Sequence, residues 1–351
     1  MKTHLKTIFT LALGLLCFQH TYAGATEDLW KALKGANDKE ALAAISAGAD
    51  VNNVDASATT PLCLAACFSG PQVIKALIDA KAGVNYVQPS SGFSPLCNAA
   101  NWGNTEAVRI LLAAGADAKI KDKLGRDVLS IGVASVRLEL VKLLVEAGAD
   151  PALKFKFVGQ EQCALMFLIA AYSPADKVKN IATQKVTVEK MGLTFPEWLT
   201  NTKESDLTPL GDIAAYLLSK GADPNHKNGG WGCILNQAMS FKKPDIAKAL
   251  VEAKADLTVT MRVKGKVSGF DGTSLMLASL YGYNDVVELM CKAGADVNVK
   301  AKEQDTEVSS DANYTYYKTT RKWNTALSLA LDNDHPDTAE ILRKYNAKEP
   351  K

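Results

Sequence analysis

A recurrence constrains this chain more than any other feature of it. Apolar segments end in a short turn, Gly-Ala, Lys-Ala or Asn-Ala, at Gly48, Lys81, Gly115 and Gly148, spaced by 33, 34 and 33 residues. The same turn follows at Gly221, Lys254, Gly294 and Asn346, after 73, 33, 40 and 52 residues. The excesses over 33 are 40, 7 and 19, so the register survives and three copies carry insertions. A period of this length describes one supersecondary unit stacked on copies of itself, because a single copy has too little apolar surface to fold alone.

The cleanest copy runs from Gly92 to Asp117 and reads as two short amphipathic helices. Ser94-Pro95 opens the first, with a capping hydroxyl and a proline whose missing N–H costs nothing in the first turn. Leu96, Ala99 and Ala100 form its apolar face. Gly103-Asn104 breaks the pattern, Val108, Leu111 and Leu112 give the second stripe, and Gly115 closes it as a left-handed cap.

This unit, and the stretch Thr60-Pro61-Leu62-Cys63-Leu64-Ala65-Ala66 before it, resembles an ankyrin repeat. The resemblance covers most of residues 27–347 and implies an all-α repeat solenoid of helix-turn-helix units joined by β-turn fingers. The family commonly has histidine where Cys63 and Cys97 stand, so the ties that histidine makes between adjacent turns lack their residue here. Residues 26–351 form the repeat domain, with an N-terminal capping repeat over 27–53 and about seven further repeats. An insertion at 173–208 carries a helical segment from Pro174 to Met191 and the aromatic run Phe195-Pro196-Glu197-Trp198. Helices are expected on either side of it, over 162–172 and 210–220. Two long fingers, 259–271 and 299–323, are expected to extend into β-hairpins: Val259 to Val267 alternates apolar and polar residues before a turn at Ser268-Gly269, and the second has candidate strands at 299–302 and 314–318 around a turn at Ser309-Ser310-Asp311.

Residues 1–25 have another character: Lys2 and Lys6, an apolar run from Ile8 to Phe18, then Ala23-Gly24-Ala25. This is the pattern of a signal peptide cleaved near Ala23 or Ala25, which makes the expected location of a bacterial protein periplasmic or secreted. No other stretch approaches a membrane span, so stable membrane insertion is not expected. Of 40 basic and 38 acidic side chains the leader holds only two lysines, leaving 38 against 38, a balance that gives no support to nucleic-acid binding. Six cysteines remain: Cys63, Cys67, Cys97, Cys163, Cys233 and Cys291. Cys63 and Cys97 occupy equivalent positions on packed helices about 8–10 Å apart, beyond the reach of a disulfide, so free core thiols are expected.

No catalytic, cofactor-binding or metal-binding motif is found: no phosphate loop, no His-Glu-x-x-His, no paired Cys-x-x-Cys. His226 and His335, the two histidines beyond the leader, have no serine or cysteine at a recognisable motif distance, and the recurring aspartates of the turns read as turn residues. The informative deviation lies where each first helix ends. Counting from the threonine of Thr-Pro-Leu, the ninth position is Phe68, Trp102, Ser135, Phe241, Tyr281 and Asn333. In ankyrin repeats this position faces the concave groove and is usually polar. An aromatic row there, with Phe93, Trp231, Phe270 and Trp323 on the fingers, has the composition of a partner-binding hot spot. The competing reading packs these rings on neighbouring repeats or under the fingers.

The expectation is an exported, monomeric, non-enzymatic module binding an unidentified protein partner, with Phe68 and Trp102 at the site's centre because no insertion is expected to cover them. Two alternatives remain. One is an enzyme whose site the 173–208 insert and long fingers build, favoured by acids clustering with His226; the other is a protein that associates with anionic surfaces through basic finger residues such as Arg262 and Lys318.

Overall fold

The computed structural model describes residues 24–349 except 158, 172, 228–231, 265–268 and 311–314, and omits the side chains of 182, 197, 262–264, 269–270, 302–310 and 315–322. Most of the expected leader, Trp231, the side chain of Phe270 and the two long finger turns therefore lie outside the described residues. The single repeat domain expected over 26–351 forms two compact units, one ending at Asp150 but including 171–208, the other made of 151–170 and 209–351.

The first unit stacks four helix pairs. These are α1 (residues 24–34) with α2 (Asp38–Ser46), α3 (Pro61–Phe68) with α4 (Pro71–Asp79), α5 (Pro95–Trp102) with α6 (Thr105–Ala113), and α7 (Val128–Gly132) with α8 (Leu138–Glu146). First helices begin on side-chain caps: Thr60 accepts from the Cys63 amide, Ser94 from Cys97 and Asp127 from Ser130. Each such bond satisfies an amide the helix leaves unpaired. First helices then pack on first helices and second on second, burying Val73, Ile74 and Leu77 of α4, Val108 and Leu111 of α6, and Leu140 and Leu144 of α8.

In the second unit, β1 (Phe155–Phe157) pairs antiparallel with β2 (Gln160–Gln162) ahead of α9 (Ala164–Ala170). The helix expected from residue 162 thus starts two residues later, its first position taken by the strand pair that the alternation Phe155-Lys156-Phe157 favours. The insert α10 (Pro174–Lys190) and α11 (Glu197–Thr200) belongs to the first unit. The chain resumes in the second unit with α12 (Leu210–Ser219), α13 (Ile234–Ser240) and α14 (Pro244–Glu252). Then come the antiparallel pair β3 (Thr260–Lys264) and β4 (Gly269–Thr273), and α15 (Ser274–Leu280) with α16 (Asn284–Lys292). The pair β5 (Ala301–Ser310) and β6 (Thr315–Asn324) precedes α17 (Ala326–Asp332) and α18 (Pro336–Lys344). Ser309 and Ser310 continue β5 rather than starting a turn, because ladder pairing carries through to Ser310 opposite Thr315.

The eight recurring turn positions have one backbone conformation. Gly48, Lys81, Gly115, Gly148, Gly221, Lys254, Gly294 and Asn346 lie at φ between +62° and +99°. Glycine adopts this region without penalty, and Lys81 and Lys254 hold it at a cost of about 1 kcal/mol each. The next residues explain the repeat's tail. Aspartate oxygens accept amides two residues on: Asp50 from Asn52, Asp117 from Lys119, Asp223 from Asn225, Asp256 from Thr258 and Asp296 from Asn298. Asparagine then ties one repeat to the next. Asn52 donates to the Lys81 carbonyl and accepts from the Gly83 amide, Asn85 does the same with Gly115 and Asp117, and Asn298 with Asn346 and Lys348. Carboxylates occupied in this way are turn parts, not acid–base groups.

The six cysteines among the described residues are buried, unbridged thiols. Burial pushes Cys163 and Cys291 up to about 11, which keeps them protonated and poorly nucleophilic at neutral pH.

Candidate partner-binding site

The ninth positions are structurally equivalent, as the repeat arithmetic requires. Phe68 and Trp102 end α3 and α5, while Phe241, Tyr281 and Asn333 cap α13, α15 and α17. What covers them differs between the units.

In the first unit, Phe68 and Trp102 meet edge to face with centroids 4.8 Å apart, as neighbours at the same position should. They are not open. The insert lies over them: Ile181, Val188, Phe195 and Leu199 form one core cluster with Cys67 and Phe68, and Leu64, Trp102, Leu193 and Trp198 pack against it. Phe195 sits edge-on to Trp102 at 6.4 Å, and Phe68 is only 6% exposed. The expectation that no insertion covers this pair is therefore corrected. The insert's apolar face and the aromatic face each need a cover, and each supplies the other's.

Hydrogen bonds hold the insert between its two helices and at its carboxyl end. The Thr194 amide donates to the Lys34 carbonyl at 2.8 Å, which ties it to the end of α1. The Thr208 amide donates to Val136 O at 2.9 Å, and the Leu138 amide donates to Thr208 Oγ1 at 3.1 Å, capping α8. One segment thus runs from the fourth helix pair back to the first. Its signal in the sequence was the pair Phe195 and Trp198, whose rings needed a dock; periodicity alone could not say where.

In the second unit, Phe241 is 47% exposed and Trp323, on β6, 43%. Tyr281 is half-buried, with Tyr283 at a centroid distance of 5.6 Å. The structure thus gathers Phe241, Tyr281 and Trp323 in one unit and Phe68, Phe93 and Trp102 in the other. Phe93 is half-buried beneath the Arg126 guanidinium, 5.9 Å from its ring centre, so it packs against the finger of the next repeat.

His226 does have an acid beside it, with Nδ1 3.8 Å from Glu161 Oε2 and Nε2 3.2 Å from the Glu161 carbonyl. Its side chain has no exposed surface, so the arrangement joins the turn at 223–226 to β2 and offers nothing to a substrate. His335 Nε2 lies 3.2 Å from the Leu280 carbonyl, a tie between successive helix pairs. Among the described residues no group of three or more His, Cys, Asp or Glu side chains could hold a metal ion.

A family model described as Ankyrin repeats (3 copies) matches residues 29–122, 62–155 and 208–301. The chain belongs to the ankyrin-repeat family. Ankyrin repeats generally mediate protein–protein interaction and are typically non-enzymatic. The chain is 23% identical over 277 residues to the E3 ubiquitin-protein ligase KEG of Arabidopsis thaliana, covering 75% of this chain and 16% of that protein. It is 32% identical over 112 residues to a putative ankyrin repeat-containing protein of Treponema pallidum, with 32% and 38% covered. To alpha-latrocrustotoxin-Lt1a of Latrodectus tredecimguttatus it is 27% identical over 235 residues, covering 63% of this chain and 16% of the toxin. The chain thus spans well under half the length of each of these relatives, and the similarity concerns repeats.

Proposed function

We propose that this ankyrin-repeat protein is an exported, monomeric, non-enzymatic interaction module that binds its protein partner through the second unit. The exposure of Phe241 and Trp323 carries this reading: large aromatic side chains left half open are what binding hot spots are made of. Trp323 belongs to the finger β5–β6, whose strand β5 lies beside β4 of the preceding finger. Phe68 and Trp102 fall away as direct anchors, because the insert already uses them.

Register argues against association with anionic surfaces through basic finger residues. It places Arg262 opposite Asp271, Lys318 opposite Glu307 and Lys322 opposite Glu303, so basic positions alternate with acidic ones across the strands. Export is supported by the leader composition, two lysines, an apolar run and the small residues Ala23-Gly24-Ala25.

The test is affinity capture from a periplasmic extract with the wild type and with a Phe241→Ser, Trp323→Ser double variant. A partner retained by the wild type and lost at least about tenfold by the variant, at unchanged melting midpoint, is the expected result. Equal retention by both would place the site elsewhere.

A further inference from the structure

Both units carry the same order of residues along the row. At the ninth position of three successive repeats the first unit has Phe68, Trp102 and Ser135, and the last three repeats of the second have Phe241, Tyr281 and Asn333: two rings, then a polar side chain. The helices that lead to them pack in succession in both units, α3 on α5 on α7 and α13 on α15 on α17. At about 8–10 Å between packed helices, each row is about 16–20 Å long.

The first unit shows what such a row receives. Near the amino end of α10, Lys177 donates to the carbonyl of Ala134, the neighbour of Ser135, at 3.2 Å, and beyond its carboxyl end the Thr194 amide donates to Lys34 O on α1 at 2.8 Å. The helix therefore runs from the third position of the row back past the first. Between these ties Ile181 and Val188, seven residues apart and so on one face, enter the cluster that holds Phe68. The 17 residues of α10 measure about 25 Å, enough to span the row.

The second row differs in carrying charge at its ends. The residue after the ninth position is left-handed in all three repeats, with Lys242 at φ +56°, Gly282 at +68° and Asp334 at +59°. Lys242 and Asp334 are exposed, at opposite ends of this row of three, whereas the first unit has Ser69, Gly103 and Val136 at the corresponding places. A helix lying on the second row in the direction that α10 takes on the first has its amino end at Asp334 and its carboxyl end at Lys242. Its macrodipole puts partial positive charge at the amino end and partial negative charge at the carboxyl end, so both side chains favour this direction and oppose the reverse.

Resting on the reading that the second unit binds a protein partner, we propose that the partner contributes an amphipathic α-helix of about four to five turns with aliphatic side chains seven residues apart, lying over Phe241 and Tyr281 and running from Asp334 towards Lys242. This is the recognition that the chain performs on itself in the first unit. Gln237 stands four residues before Phe241, where Leu64 stands before Phe68, so the second row is less apolar and holds such a helix less tightly than the tethered insert is held.

The test uses the whole protein and a labelled synthetic peptide of residues 174–201, followed by fluorescence anisotropy. Because the insert already occupies the first row, the peptide is expected on the second, with Kd below about 100 µM. Phe241→Ser and, independently, Tyr281→Ser should each weaken binding at least about fivefold. Exchanging the end charges, Lys242→Asp with Asp334→Lys, should weaken it about threefold or more. A peptide carrying Ile181→Ser and Val188→Ser should not bind. Absence of binding by the first peptide, binding that neither ring variant weakens, or equal binding of the serine peptide would overturn the helix, and indifference to the charge exchange would overturn its direction. A failed peptide with capture still dependent on Phe241 and Trp323 removes the helix alone; failure of both removes the second unit as the partner site as well.

Discussion

Phe68 and Phe241 stand at the same place in the repeat, yet the first is enclosed by the insert and the second is half open to solvent. The scaffold beneath them shares left-handed turns at the recurring positions and asparagine ties between neighbours, although Cys233 ahead of Phe241 makes no side-chain cap bond such as Thr60 makes ahead of Phe68. The difference comes from a segment supplied from outside the period. A repeat fold leaves a row of equivalent positions along one face, and what occupies that row is a separate matter from the fold that creates it. In the first unit the chain fills the row itself, which turns a potential partner surface into core. In the second unit Phe241 stays half exposed and Tyr281 half-buried.

The comparison is most sharply tested by matched substitutions. Phe68→Ser with Trp102→Ser should destabilise the first unit by about 3–5 kcal/mol, because a buried ring and its cover are lost together. Thermal denaturation checks this, and a change below about 1 kcal/mol would mean that the insert does not depend on these rings. The shared scaffold predicts equal effects in both units from Asn85→Ala and Asn298→Ala. Each removes two hydrogen bonds between neighbours and should cost about 1 kcal/mol in denaturant unfolding. A cost confined to one unit would break the equivalence.

Lys81→Gly and Lys254→Gly should each stabilise by roughly 0.5–1 kcal/mol, one in each unit, since both lysines hold positive φ. The measurement is the urea midpoint at unchanged slope, and a loss of stability in either variant would contradict the backbone assignment. The smallest effect is expected from Phe241→Ser alone: within about 0.5 kcal/mol of the wild type, because an exposed ring contributes little to folding. A loss near that of Phe68→Ser would place Phe241 in a core and erase the contrast.

Much of this architecture was legible because it is local. The spacing of Gly48, Lys81, Gly115 and Gly148 marks where helices must end, since only a left-handed residue closes them in this way. Thr60, Ser94 and Asp127 mark where they begin, and the apolar positions between fix which faces turn inward. Equivalence of the ninth positions followed from counting alone. The strand pair at 155–162 escaped notice because three-residue strands with a glycine turn carry too little pattern to stand out.

Tertiary structure alone decided which ninth positions are covered. Burial of Phe68 depends on Ile181, Val188 and Phe195, more than a hundred residues away, and no periodicity relates an insertion to the surface on which it lands. The same holds for Arg137 and Thr202: each reads as ordinary in its own segment, and only the fold brings the guanidinium within 3.2 Å of the hydroxyl. Local chemistry sets helices, turns and repeat register because those interactions lie within a few residues. Packing between distant segments is selected by surface complementarity, which is realised only when the whole unit has formed.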